Sequence, residues 1–138
     1  MNHCKMIIVL DTWVLRRAAE GHRDAIEVLH KIYQNCHKIC YDDQNKIIKE
    51  HRSVQNQFVS QWLKLIYSRK KIKVKIRKTC GNILGHKKDM KFVYACLNYP
   101  NKSERYIISE DHHFVINRDK LLKKGICLLS LQEALQIL

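Results

Sequence analysis

The stretch at residues 6–15, MIIVLDTWVL, constrains the fold more than any other part of the chain. Five apolar residues run without a polar break into Asp11, and a helical pattern starts at once. A run so short and so continuous fits a strand covered on both faces, as in a parallel sheet. Asp11 then stands at the strand's carboxyl end, the edge at which open α/β sheets carry their ligand sites.

The remaining chain alternates strand and helix signals, with no internal repeat and no low-complexity linker. Thr12 can cap a helix running to Glu20, with Gly21 as its stop. Ala25, Ile26, Leu29, Ile32 and Tyr33 recur at helical spacing and predict a helix over residues 22–34. Residues 37–41 read as a strand, after which Asp42 or Asp43 caps a helix carrying Ile47, Ile48 and Glu50. From Ser53 the stripe Val54, Phe58, Trp62, Leu65, Ile66 predicts a long helix to about Tyr67, with Trp62 in the core.

Residues 69–78, RKKIKVKIRK, alternate apolar and basic positions with period two, a basic ribbon or strand inserted before a glycine-bearing loop over 79–88. Asp89 opens a helix that stops before Pro100, and residues 106–109 form a second short strand ending in acids. A small helix over 117–124, closed by Gly125, leads to a last strand at 126–129. Ser130 and Glu133 then stand at capping-box spacing for a terminal helix over 131–138. Strands and helices alternating through connections of this length imply βαβ units, so the expected class is α/β: one domain over 1–138 with a mostly parallel sheet and helices on both faces.

At 138 residues the chain suffices for one core and not for two. Its 26 Lys and Arg against 13 Asp and Glu leave a formal charge of +13, which calls for a polyanionic partner, nucleic acid before an anionic membrane or an acidic protein. The first apolar run is too short for an export signal, and none approaches a membrane span. The six cysteines therefore read as small buried hydrophobes in a reducing cytoplasm. Cys36, His37 and Cys40 lack a fourth ligand and match no common zinc spacing. No phosphate loop, nucleophile elbow or dinucleotide fingerprint occurs.

Asp11 and Asp111 each follow a short apolar strand, so a parallel sheet places both at one edge; Glu50 and Asp89 are helical and their direction is not fixed by position alone. Converging carboxylates raise one another's pKa unless a cation neutralises them, and hard divalent ions prefer such oxygen ligands. Each acid also has a plainer reading. Asp11 and Asp89 could complement helix N-termini, Asp111 could be a turn acid, and Glu50 a solvated surface charge.

Four segments together resemble the PIN-domain ribonucleases, a family that includes the toxins of many prokaryotic toxin and antitoxin pairs. They are VLDT with Asp11 and Thr12, IIKEH with Glu50, DMKFVYACL with Asp89, and IISEDHHF with Ser109, Asp111 and Phe114. The resemblance covers essentially the whole chain. It implies a three-layer α/β/α domain in which Asp11, Glu50, Asp89 and Asp111 bind one or two Mg²⁺ or Mn²⁺ ions and cut RNA, with Thr12 and Ser109 in support. The partners it implies are RNA and an acidic antitoxin or a second copy of the chain. His112 and His113 beside Asp111 suggest transition-metal ligands, but paired histidines in a loop are more often simply exposed, and His113 is kept as a substrate contact. Ser109 stands where the family more often has Thr, Glu110 adds an acid, and Lys87 and Lys88 flank Asp89.

Lys70, Lys71, Lys73, Lys75, Arg77 and Lys78 are the expected phosphate contacts, against the plainer reading of a charged edge strand that deters aggregation. The rival function is a nucleic-acid-binding module without turnover. A phosphoacceptor domain of receiver type shares the buried strand ending in Asp but lacks the adjacent acid pair, and a HAD-type hydrolase would have a second acid at Trp13.

Overall fold

A computed structural model describes residues 6–69, 71–78, 80–100 and 105–138. Five strands, β1 (Ile7–Leu10), β2 (Lys38–Asp42), β3 (Lys71–Val74), β4 (Tyr106–Ile108) and β5 (Cys127–Leu129), form one sheet in the order β3-β2-β1-β4-β5. Every pairing is parallel, with Ile8 opposite Ile39 of β2 and Val9 opposite Ile107 of β4. The apolar run at the start of the chain is therefore the central strand. Its alternation divides the core: Ile8 and Leu10 pack on one face, Val9 on the other.

The helices are α1 (Thr12–Ala19), α2 (Arg23–Gln34), α3 (Lys46–Arg52), α4 (Gln57–Arg69), α5 (Met90–Asn98), α6 (His112–Val115), α7 (Arg118–Lys123) and α8 (Leu131–Ile137). Ile8 and Leu10 share a buried cluster with Val14 of α1, Leu29 of α2, Ile66 of α4 and Ala134 of α8. Val9 shares the opposite one with Phe92 of α5, Phe114 of α6 and Leu121 of α7. Helix α3 straddles the two, Ile48 facing one and Ile47 the other. The result is an α/β protein of three layers, helices on both faces of a wholly parallel sheet. No described helix is long and apolar enough to cross a membrane.

Local chemistry explains most boundaries. Gly21 and Gly125 take φ values of 84° and 82°, the left-handed conformation that ends α1 and α7. Ser130 and Glu133 form a complete capping box on α8. Trp62 is core, and its indole N–H donates to the Leu29 carbonyl at 2.7 Å, tying α4 to α2.

Several expectations are corrected. Thr12 is the first residue of α1 rather than its cap, and its hydroxyl is used elsewhere. Helix α4 starts at Gln57, where the Asn56 side chain accepts from the Val59 N–H at 3.0 Å, not at Ser53. The basic segment is a strand only over Lys71–Val74, where it forms the edge of the central sheet; beyond it the Ile76 N–H donates to Asp43 at 3.0 Å. Lys70 of the expected phosphate contacts lies outside the described residues. The five described cysteines are free thiols: Cys40 and Cys96 are buried, Cys80 and Cys127 half-buried, and Cys36 is exposed.

Candidate functional site

The carboxyl ends of β1 and β4 lie side by side, the Asp11 N–H donating to the Ile108 carbonyl at 3.2 Å. This places Asp11 against Ser109, whose hydroxyl donates to the Asp11 carboxylate at 2.6 Å. The same oxygen accepts from the Asp111 N–H at 3.0 Å, so Ser109 sets both acids at once. Asp11 is 4 % exposed and makes no capping bond to α1. Burial raises its carboxyl to about 7; the Ser109 hydroxyl works against this, and the charges of Asp89, Asp111 and Glu50 push the same way as burial. All four expected acids thus lie within one electrostatic neighbourhood.

Glu50 reaches that neighbourhood through a chain of buried polar contacts. Asp42, fully buried at the end of β2, accepts the Ile47 and Lys46 N–H groups at 2.8 and 3.1 Å and fixes the start of α3. His51, also fully buried, anchors the other end, with Nε2 2.7 Å from the Leu10 carbonyl and Nδ1 2.7 Å from the Tyr67 hydroxyl. A carbonyl only accepts, so Nε2 carries the proton and Nδ1 accepts from the tyrosine. Burial lowers the His51 pKa to about 4, in keeping with this neutral form. Glu50 is therefore held one residue from a side chain locked to the end of β1.

The Glu50 carboxylate accepts from the Thr12 hydroxyl on one oxygen and pairs with Lys91 at 2.7 Å on the other. Burial alone would raise its pKa; the Lys91 and Thr12 contacts prevail and hold it below the usual carboxylate range.

Asp89 occupies the N-cap position of α5 without a side-chain capping bond. Its Oδ2 lies 3.5 Å from His86 Nδ1 and 3.3 Å from His113 Nδ1. Asp111 does cap, its Oδ1 accepting from the His113 N–H at 3.1 Å, and the same oxygen lies 3.3 Å from His113 Nδ1. The plain capping role of Asp111 and its place beside the other acids coexist. The short helix α6 that it caps is not evident in the sequence.

Beside this cluster runs a groove of about 780 Å³. Glu50 stands on its wall among Lys46, Lys49, Lys78, Lys87, Lys88 and Lys91, with Ile76, Met90 and Tyr94 as apolar lining. Of the described residues expected to contact phosphate, only Lys78 lines it; Lys71, Lys73, Lys75 and Arg77 are exposed without lining it. Sequence reasoning missed Lys46, Lys49 and Lys91 because single lysines on helices carry no signal; Lys87 and Lys88, flanking Asp89, were the available clue.

The site's chemistry suits a divalent cation. The charges of Asp89, Asp111 and Glu50 act on Asp11, which is buried and hard to ionise without a neutralising charge, and nearby hydroxyls orient Asp11 and Glu50; among the described residues the ligand atoms that come within 4.8 Å of one another are those of His86, Asp89 and His113. The zinc reading of Cys36, His37 and Cys40 has no support, since both His37 ring nitrogens are taken up by Met6 and Leu138 at 2.9 Å. Comparison of the chain with protein-family models, with curated proteins and with solved structures finds no match in any of the three.

Proposed function

We infer that the protein is a metal-dependent endoribonuclease of PIN type. The observation that carries this reading is the acidic neighbourhood of Asp11, on which the charges of Asp89, Asp111 and Glu50 act, beside a groove bearing six lysines. Asp11, Glu50, Asp89 and Asp111 would hold Mg²⁺ or Mn²⁺, which when bound polarises a phosphodiester and lowers the pKa of an attacking water.

The chain's own residues have separable tasks. Lysines along the groove seat the RNA backbone through its phosphates, a contact that holds any sequence. Ser109 holds Asp11 by its hydroxyl hydrogen bond, while Thr12 and Lys91 orient Glu50 and keep it ionised. His51, neutral and buried, fixes the spacing between the Glu50 helix and the end of the central strand. Ile76, Met90 and Tyr94 offer an apolar wall for unpaired bases, which favours single-stranded substrate.

A second reading, a nucleic-acid-binding module without turnover, is favoured by the Lys91 pairing, which already neutralises one of the four acids. Cleavage separates the two. Purified protein incubated with end-labelled, mixed-sequence RNA is expected to cut it with Mn²⁺ or Mg²⁺ and to leave it intact with EDTA. Asp11→Asn is expected to lower the rate by about a hundredfold or more. RNA bound in a salt-dependent way but left whole with either ion would retire the nuclease in favour of the binding module.

A further inference from the structure

His86 and His113 come to one point from different parts of the chain. His86 ends the loop before α5, which is pinned by the burial of Leu84 and by the Asn117 amide donating to the Leu84 carbonyl at 3.2 Å. His113 lies in α6 next to the strand-end acids. Their ring centroids are 4.1 Å apart. The side chains are 40 and 37 % exposed, yet the Nδ1 atom of each is shut off from solvent and has no hydrogen-bond partner. Both rings turn Nδ1 inward, onto the same oxygen of Asp89.

An ordinary ion pair does not account for this arrangement. An imidazolium paired to a carboxylate makes an N–H···O bond of about 2.8 Å, whereas these separations are 3.3 and 3.5 Å and lack hydrogen-bond geometry. Two imidazolium rings at this spacing would also repel. The separations are those of neighbouring ligands around one ion: with bonds of about 2.1 Å, adjacent donor atoms stand roughly 3–3.5 Å apart. One ligand atom from each of His86, Asp89 and His113 lies within 4.8 Å of the other two, and Asp111 Oδ1 stands 3.3 Å from His113 Nδ1 outside that group.

We propose that His86, His113 and Asp89 form a subsite for an imidazole-binding first-row divalent ion, Co²⁺ or Zn²⁺, ahead of Mn²⁺ and Mg²⁺. Imidazole suits Zn²⁺ and its close analogue Co²⁺, while Mn²⁺ and Mg²⁺ prefer oxygen and Mg²⁺ keeps its waters. The subsite shares Asp89 with the acid cluster, so it deepens the nuclease reading and rests on it for any role in RNA cleavage, though not for ion binding itself. It gives the site two unlike sides, an all-oxygen one towards Asp11 and Glu50 and a histidine one towards solvent.

Co²⁺ titration of the full chain, followed by its visible absorption bands, tests the assignment. A single Co²⁺ is expected to bind, to be displaced by Zn²⁺, and to resist about a hundredfold excess of Mg²⁺. His86→Ala and His113→Ala should each weaken Co²⁺ binding by about tenfold or more, while His112→Ala, at the exposed neighbouring position, leaves it unchanged. Because His113 sits in a short helix, far-UV circular dichroism and Zn²⁺-induced shifts of the His86 and His113 ring nitrogens in the parent protein guard against a folding artefact. Displacement of Co²⁺ by Mg²⁺ as readily as by Zn²⁺, or unchanged binding in the double histidine variant, overturns the subsite. Ion binding that passes these tests beside uncut RNA removes the nuclease and keeps the subsite; Mg²⁺-supported cleavage without histidine-dependent binding does the reverse.

Discussion

Asp11 and His51 are both buried, His51 bonded to the carbonyl of Leu10 beside Asp11, and they titrate in opposite senses. Asp11 has its folded pKa raised to about 7, so between about pH 4 and 7 the folded chain keeps a proton that the unfolded chain has lost, and stability falls as pH rises through that window. His51 has its folded pKa lowered to about 4, so between that value and about 6.5 the unfolded chain takes the extra proton, and stability rises with pH. The two slopes oppose each other in mildly acid solution, and above it only the Asp11 penalty keeps growing. Asp11→Asn keeps an acceptor for the Ser109 hydroxyl and removes the charge. The variant should match the parent near pH 4.5 and exceed it at pH 8 by about 2–4 kcal/mol in urea denaturation without divalent ions, and Mg²⁺ or Mn²⁺ should narrow that gap. Asp11 was legible because a carboxylate directly after a continuous apolar strand has only the sheet edge to occupy. Lys91 and His86 were not, since one lysine among 26 Lys and Arg, or one loop histidine, gains meaning only from what the fold sets opposite it.

Elements were legible to the degree that their apolar pattern was long. The central strand, α2 and the capping box of α8 stand where the sequence places them, each backed by a covered strand, a sustained helical stripe or a specific pair of side chains. Helix α6 has four residues, too few for a periodic signal, and its cap, Asp111, reads equally well as an ordinary turn. The basic stretch has the alternation of a strand throughout, but its ladder partner ends: β2 pairs only as far as Asp42, opposite Val74. That difference bears on RNA. Replacing Lys49, Lys87 and Lys88 by Gln should weaken binding of a single-stranded RNA by about tenfold or more and flatten the slope of log affinity against log salt by about 2. The same change at Lys71 and Lys73, on the exposed edge of β3, should shift affinity by no more than about threefold. Fluorescence anisotropy across a salt series measures both.

At the scale of the whole molecule, the charge of +13 is organised rather than merely carried, since six of the cations line one groove that abuts the acid cluster. The α/β class and the parallel sheet follow from the alternation of short apolar runs with amphipathic helices, which is why they are legible in the sequence. The strand order could not, because pairing between β1 and β4 joins segments far apart in the chain and leaves no local trace. His37 has a wider consequence. Its ring accepts from the Met6 N–H on one side and meets the Leu138 carbonyl on the other, both at 2.9 Å, so the beginning of the central strand and the end of the last helix are one imidazole apart. Residues 6 and 138 are thus held within one side chain of each other. A circular permutant with residues 138 and 6 joined by a short flexible linker, and reopened at Gly21 in the exposed turn between α1 and α2, is expected to fold to the same far-UV spectrum and a cooperative thermal transition.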